Sequence, residues 1–60
     1  MPSDETRTVL KLFGVAVTSL EDAIDNRAPL DDVMKWDREV ADRTRDLLAL
    51  VERLRSRRIA

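Results

Sequence analysis

The segment from Leu30 to Arg58 constrains the fold of this chain more than any other part of the sequence. At about 100° per residue, most of its apolar side chains fall on one side of a helix and most of its charged side chains fall opposite. The apolar side spans about 180°, whereas a helix at the surface of a globular protein has an apolar stripe of roughly 100°. A helix with this much apolar surface needs more than one neighbouring helix to cover it.

The sequence predicts another helix ahead of this one, from about residue 4 to about residue 26. Ser3 is a good N-cap, and the two acidic residues that follow it interact favourably with the helix dipole. Apolar residues then recur with the alternating spacing of a heptad seam, in which Ala16 and Ala23 would let a neighbouring helix approach closely. Gly14 is either a tolerated helical glycine or the site of a close helix crossing.

A short turn at about residues 26–29 separates the two helices. Asn26 tolerates the left-handed conformation that often ends a helix. Pro29 suits the first position of the next helix, which is predicted to run from about residue 29 to about residue 57. Because the connection is only about three or four residues long, the two helices are expected to lie antiparallel as neighbours.

Two helices cannot hide this much apolar surface against each other. A chain of 60 residues is marginally stable alone, and without cysteine it cannot form a disulfide. The sequence therefore predicts an all-α fold, in which one helical-hairpin domain (residues 1–60) pairs with a second copy as a homodimeric four-helix bundle. The predicted oligomer interface consists of Leu10, Phe13, Val17, Leu20, Ile24, Val33, Trp36, Val40, Leu47, Val51 and Leu54.

Two polar residues, Asp37 and Thr44, interrupt the apolar arc of the second helix. They either lean to the rim, where water solvates them, or act as a register device. If two copies of this helix cross antiparallel between Val40 and Ala41, Asp37 of one copy faces Thr44 of the other. The sequence does not choose between a parallel and an antiparallel dimer.

No pattern of residues indicates an enzyme. The chain has no histidine and no cysteine, which are common general bases, nucleophiles and metal ligands. Glu39, Asp42 and Asp46 form an acidic row, but it interleaves with Arg43 and Arg45 and is predicted to be an outer, solvated face with surface ion pairs. We therefore expect no catalytic residue, cofactor, metal or small-molecule substrate.

The basic C-terminal tail, residues 53–60, is the best candidate for a separate binding feature. The whole chain has a net charge of −1, yet this tail contains four arginines and no acid. These side chains either complement the C-terminal end of the helix dipole or bind phosphate groups or an acidic partner. The four residues are Arg53, Arg55, Arg57 and Arg58.

The leading functional prediction is a small, non-enzymatic protein–protein interaction or regulatory module that acts as a homo-oligomer. The alternatives are an RNA- or DNA-binding regulator that uses the arginine tail, and an auxiliary helical subunit of a larger complex with another helical protein. The apolar run from Val9 to Leu20 follows acidic residues and is shorter than the roughly 20 residues that span a bilayer. We therefore expect no signal peptide, no membrane partner and a cytoplasmic location.

Overall fold

A computed structural model describes residues 3–59, which form two α-helices, α1 (Asp4–Asp25) and α2 (Leu30–Ile59). Glu5 near the start of α1 forms an ion pair with Arg53 near the end of α2, so the helices lie side by side in opposite directions. The hairpin measures 47 × 19 × 12 Å, which is a single layer one helix thick. The predicted all-α helical hairpin is confirmed.

Ser3 caps α1 as predicted. Its backbone is extended, with φ −72° and ψ 163°, and its hydroxyl accepts a hydrogen bond of 3.1 Å from the backbone N–H of Thr6. Asp4 and Glu5 occupy the first helical turn. The cap satisfies one of the N–H groups that lack a partner within the helix, and the two carboxylates lie at the positive end of the helix dipole.

The turn differs from the prediction because Arg27, not Asn26, adopts the left-handed conformation, with φ 54°. Asn26 has φ −89° and completes α1. The N–H of Ala28 then donates to the carbonyl of Ala23 at 2.9 Å, and the N–H of Arg27 donates to the carbonyl of Ile24 at 3.1 Å. This is the Schellman pattern, which places the left-handed residue directly after the cap and satisfies carbonyls at the end of the helix.

Pro29 precedes α2 and does not begin it, which is a second difference from the prediction. The helix starts at Leu30, and the carbonyl of Pro29 accepts hydrogen bonds from the N–H groups of Asp32 and Val33 at 2.9 and 3.2 Å. Pro29 therefore occupies the N-cap position, where its missing N–H costs no helical hydrogen bond and its ring restricts the backbone.

The two helices meet along a line of small residues on α1. Ala16 is 1% exposed and Ala23 is 9% exposed, while Leu50 of α2 is 3% exposed. Because each helix packs only against the other in the hairpin, these buried side chains mark the facing sides, and Ala16 and Ala23 are among them. We define the contact line as Val9, Phe13, Ala16, Leu20 and Ala23 on α1 with Trp36, Arg43, Leu47 and Leu50 on α2, all of which are buried or half-buried.

Candidate interaction surface

Large apolar side chains are exposed along both helices. Leu30 is 70% exposed, Leu48 is 60% exposed and Ile24 is 55% exposed. Such residues are usually buried in a small domain, whereas a contiguous exposed set of them marks a surface for interaction. We define the apolar face as Leu10, Val17 and Ile24 of α1 together with Leu30, Met34, Ala41 and Leu48 of α2, all of which are exposed.

Helical geometry places the α1 row of the apolar face on one side of the hairpin and the outer row of α2 at its edge. Counted along the chain, the α1 row lies about 80–120° from Ala16, whereas the outer row of α2 lies about 160–200° from Leu50 and so points away from α1. In two antiparallel right-handed helices, rotation in the chain direction away from a shared contact line leads to the same side. Val40 and Val51 lie at about 80–100° on α2, so these half-buried valines share a side with the α1 row and lie between the contact line and the outer row.

The structure divides the predicted interface residues of α1 between two surfaces. Leu10, Val17 and Ile24 are exposed on the apolar face, whereas Phe13 and Leu20 are half-buried at the contact line. A shallow groove lined by Val17, Leu20 and Ile24 joins the two surfaces. The single predicted seam is therefore the boundary between the surface that packs against α2 and the surface that α2 leaves open.

The predicted interface residues of α2 are mostly half-buried by the hairpin itself. Trp36 and Leu47 belong to the contact line, and Leu54 is exposed near the C-terminal end of α2. The half-buried residues at the inner edge of the apolar face are Val33, Val40 and Val51. The sequence prediction of the interface omitted the most exposed apolar residues of this helix, Leu30, Met34, Ala41 and Leu48. Leu30 begins the heptad row that contains Asp37 and Thr44, and the other three form a neighbouring heptad row of their own.

Asp37 and Thr44 lie beside the outer row of α2, between it and Val40 and Val51. Asp37 is exposed, and the half-buried Thr44 hydroxyl donates a hydrogen bond of 2.7 Å to the carbonyl of Val40. Seven residues separate Asp37 from Thr44, which is about 10 Å of helix. The hairpin therefore does not bring the two side chains together, and a contact between them requires a second copy of α2.

Arg43 lies on the contact line, which corrects the prediction that it belongs to the outer charged face. Its Nε atom is buried and has no hydrogen-bond partner among the described residues. Asp46 Oδ2 lies 3.5 Å from this atom and Glu39 Oε1 lies 3.9 Å from it. The predicted Glu39–Arg43 ion pair is thus present, but it holds a side chain that is only 27% exposed. The contact line includes position 43, so the facing helix excludes water from the Nε atom of this arginine.

The side of the hairpin opposite the apolar face is charged. A shallow groove there is lined by Lys35, Trp36, Arg38, Glu39 and Asp42. The Lys35 ammonium lies 5.1 Å from the centre of the Trp36 ring, within the range of a cation–π interaction. Trp36 is therefore used in the packing of the hairpin and is not part of the apolar face.

The arginine tail is partly neutralised by acidic residues of the same hairpin. Arg53 pairs with Glu5, and the Arg55 guanidinium lies 2.9 Å from the Glu52 carboxylate. Both contacts are exposed to solvent, where ion pairs contribute little to stability. They nevertheless place carboxylates beside two of the four guanidinium groups that the sequence offered for phosphate binding.

Within residues 3–59, no three acidic side chains are grouped so that they could hold a metal ion. Neither helix, over the same residues, combines the length and apolar character needed to cross a membrane. Comparison of the chain with protein-family models, curated proteins and solved structures gave no match.

Proposed function

We propose that this chain is a small, non-enzymatic interaction module that acts as a homo-oligomer, in which two hairpins form a four-helix bundle. The apolar face is the observation that carries the proposal. Among the described residues, the hairpin buries only three apolar side chains, and two of them, Ala16 and Ala23, are alanines. A domain of this size has little apolar burial to spare, so a surface this apolar needs a partner.

The free energy available from covering the apolar face is comparable to the stability of a small domain. Each large apolar side chain contributes about 1.5–3 kcal/mol when it moves from water into a packed interior. Small domains have a total stability of about 5–15 kcal/mol. The six large side chains of the face would therefore supply a substantial part of the stability of the folded protein if a partner covered them.

A second hairpin has the right shape to cover this face. The α1 row and the half-buried valines of α2 lie on one side of a flat layer of two antiparallel helices, and the outer row of α2 borders that side, as in one half of a four-helix bundle. A two-fold dimer uses the same surface on both copies, so one apolar face accounts for the whole interface. The net charge of −1 opposes such self-association only weakly.

The proposal is tested by measuring the mass of the folded protein by sedimentation equilibrium over a wide range of concentrations. Val17→Glu introduces a charge on the apolar face, and Val15→Glu is its matched control. The two valines are 40% and 49% exposed in the hairpin, but Val15 lies on the other side of α1. We expect dimers for the unchanged chain and for Val15→Glu, and monomers for Val17→Glu, because a carboxylate cannot be buried in an apolar interface without a partner.

A folded monomer at every concentration would contradict the proposal, as would equal effects of the two valine substitutions. If the chain folded only after addition of another helical protein, it would instead be an auxiliary subunit of a larger complex. Nucleic-acid binding that falls steeply with salt, and is lost when Arg57 and Arg58 are changed to alanine, would favour the RNA- or DNA-binding alternative.

A further inference from the structure

We infer that the second copy packs on the apolar face in the antiparallel orientation, with the turn end of each hairpin beside the open end of its partner. The turn end is residues 21–35, and the open end is residues 3–7 together with residues 52–58. This inference rests on the proposed function, because it specifies the arrangement of the dimer.

The two ends of the hairpin carry opposite charge. The turn end contains five acidic and two basic side chains, a net charge of −3. The open end contains five basic and three acidic side chains, a net charge of +2. The remaining residues contain four of each sign, so the charge of the hairpin is separated along its length of 47 Å.

This separation favours one orientation of the dimer. An antiparallel partner places each negative turn end beside a positive open end, whereas a parallel partner places like charges together at both ends. Packed helices lie about 8–10 Å apart, and the Debye length at an ionic strength of 0.1 M is about 10 Å. The distance between the end charges of two packed hairpins is therefore no greater than the Debye length, so salt screens their interaction only in part.

The apolar row of α1 is symmetric in a way that suits an antiparallel copy. Leu10 and Ile24 lie seven residues before and after Val17. A two-fold axis that passes beside Val17, perpendicular to the helix, places Leu10 against Ile24 of the partner subunit and Val17 against its own copy. All three side chains are exposed in the single hairpin and therefore available for this packing.

The outer row of α2 has the same symmetry about a different residue. Met34 and Leu48 lie seven residues before and after Ala41. An axis at the level of Ala41 places Met34 level with Leu48 of the partner subunit along the outer edge of the two copies of α2. Met34 and Leu48 are 51% and 60% exposed, so both have surface to bury.

One axis serves both rows because the hairpin holds their centres at the same level. The ion pair between Glu5 and Arg53 fixes the register of the two helices. Val17 lies twelve residues after Glu5, and Ala41 lies twelve residues before Arg53. Since the helices rise equally per residue, Val17 and Ala41 are level across the hairpin.

Charged side chains at the outer edge of α1 agree with this axis. Arg7 and Asp25 both lie about 180° from Ala16 around the helix, and both are exposed. The axis at Val17 brings Asp25 to within two residues, or about 3 Å along the helix, of the level of Arg7 of the partner subunit. This edge therefore places opposite charges near each other in the antiparallel dimer.

The axis at Ala41 also brings Asp37 nearly level with Thr44 of the partner subunit. This is the register contact considered from the sequence alone. In the single hairpin the Thr44 hydroxyl donates to the Val40 carbonyl. In the dimer, rotation of that hydroxyl would let it donate to the Asp37 carboxylate, so that a polar group in the apolar row selects this register.

The orientation is tested by energy transfer between labels on two copies. Since the chain has no cysteine, Asn26→Cys labels the turn and Ser56→Cys labels the open end, both at exposed positions. We expect efficient transfer when Asn26→Cys chains carry the donor and Ser56→Cys chains carry the acceptor. The axis at Val17 and Ala41 leaves two turn labels about 27 Å apart and two open-end labels about 45 Å apart along the helices, so transfer within either like pair should be weaker than in the mixed pair.

The opposite pattern of transfer would overturn the antiparallel inference but leave the proposed homo-oligomer intact. No transfer in any mixture, together with a monomeric mass in the centrifuge, would overturn both. The two failures are therefore distinguishable in the same set of labelled proteins.

A charge reversal tests the proximity of Asp25 to Arg7 of the partner subunit. We expect Asp25→Lys to weaken dimerisation about tenfold at low salt. The matched control is Asp22→Lys, which makes the same charge change within the same turn of α1 but on the side away from the apolar face, and it should have a smaller effect. Mixing Asp25→Lys chains with Arg7→Glu chains should restore association, and failure of this mixture to associate would overturn the inference.

Discussion

The contact line and the apolar face of this hairpin are built from opposite kinds of side chain. Two alanines and one leucine are the buried side chains between the helices, with the buried Nε atom of Arg43 on the same contact line, whereas long and branched apolar residues project from the apolar face. In a self-sufficient small domain, the large apolar side chains would occupy the interior. The difference indicates that the contact line sets the distance between the helices, and that the apolar face is where most of the apolar burial is to be gained.

The largest expected effect comes from removing one leucine from each surface. Leu50→Ala should lower the free energy of unfolding by about 2–4 kcal/mol at any protein concentration, because Leu50 is already buried within the hairpin. Leu48→Ala should cost nothing in an isolated hairpin, but about 2 kcal/mol if a second copy covers it. Urea unfolding followed by circular dichroism at two protein concentrations checks both values.

The dependence of stability on protein concentration distinguishes the contact line from the apolar face more clearly than the size of the free-energy change does. For Leu48→Ala, the loss should appear as a shift of the unfolding midpoint with protein concentration, since it weakens association. If Leu48→Ala unfolded like the unchanged chain at every concentration, the apolar face would be open to water in the native protein.

A smaller, opposite effect is expected at the polar residue of the contact line. Arg43→Leu should raise the free energy of unfolding by about 1 kcal/mol, because it removes a buried Nε atom without a hydrogen-bond partner and adds apolar contact. Thermal unfolding provides the measurement. A loss of stability would instead show that the contacts of Arg43 with Glu39 and Asp46 outweigh the cost of burying its side chain.

The smallest effect is expected in the turn, which belongs to neither surface. Arg27→Gly should stabilise the hairpin by about 0.5–1 kcal/mol, because glycine adopts the left-handed conformation of Arg27 without strain. Asn26→Gly is the control, and it should destabilise because Asn26 has an ordinary negative φ. Neither change should alter the dimerisation constant, and a gain from Asn26→Gly would show that the native turn is shifted by one residue.

The fold was predictable from local features of the sequence, whereas the assignment of its surfaces was not. Ser3 capped α1 because capping depends on the residue and its immediate neighbours. Arg27 took the left-handed position expected for Asn26, since the hydrogen bonds of the whole turn fix which residue reverses the chain. Arg43 was misplaced because a charged residue normally lies outside, and only the packing of α1 over that part of α2 makes position 43 an inner one.

The sequence by itself determined that the chain forms two amphipathic helices joined by a tight turn, because helix periodicity, capping and proline act over a few residues. Only the tertiary structure decided which part of each wide apolar arc faces the other helix. Ala16 and Val17 are neighbours within one arc of α1, yet the first is 1% exposed and the second is 40% exposed. A helix rotated by about 100° would exchange their roles with the same sequence pattern. In the observed rotation the small alanines face α2, because packing of one helix on the other is a tertiary choice, and this choice decides which apolar surface stays open.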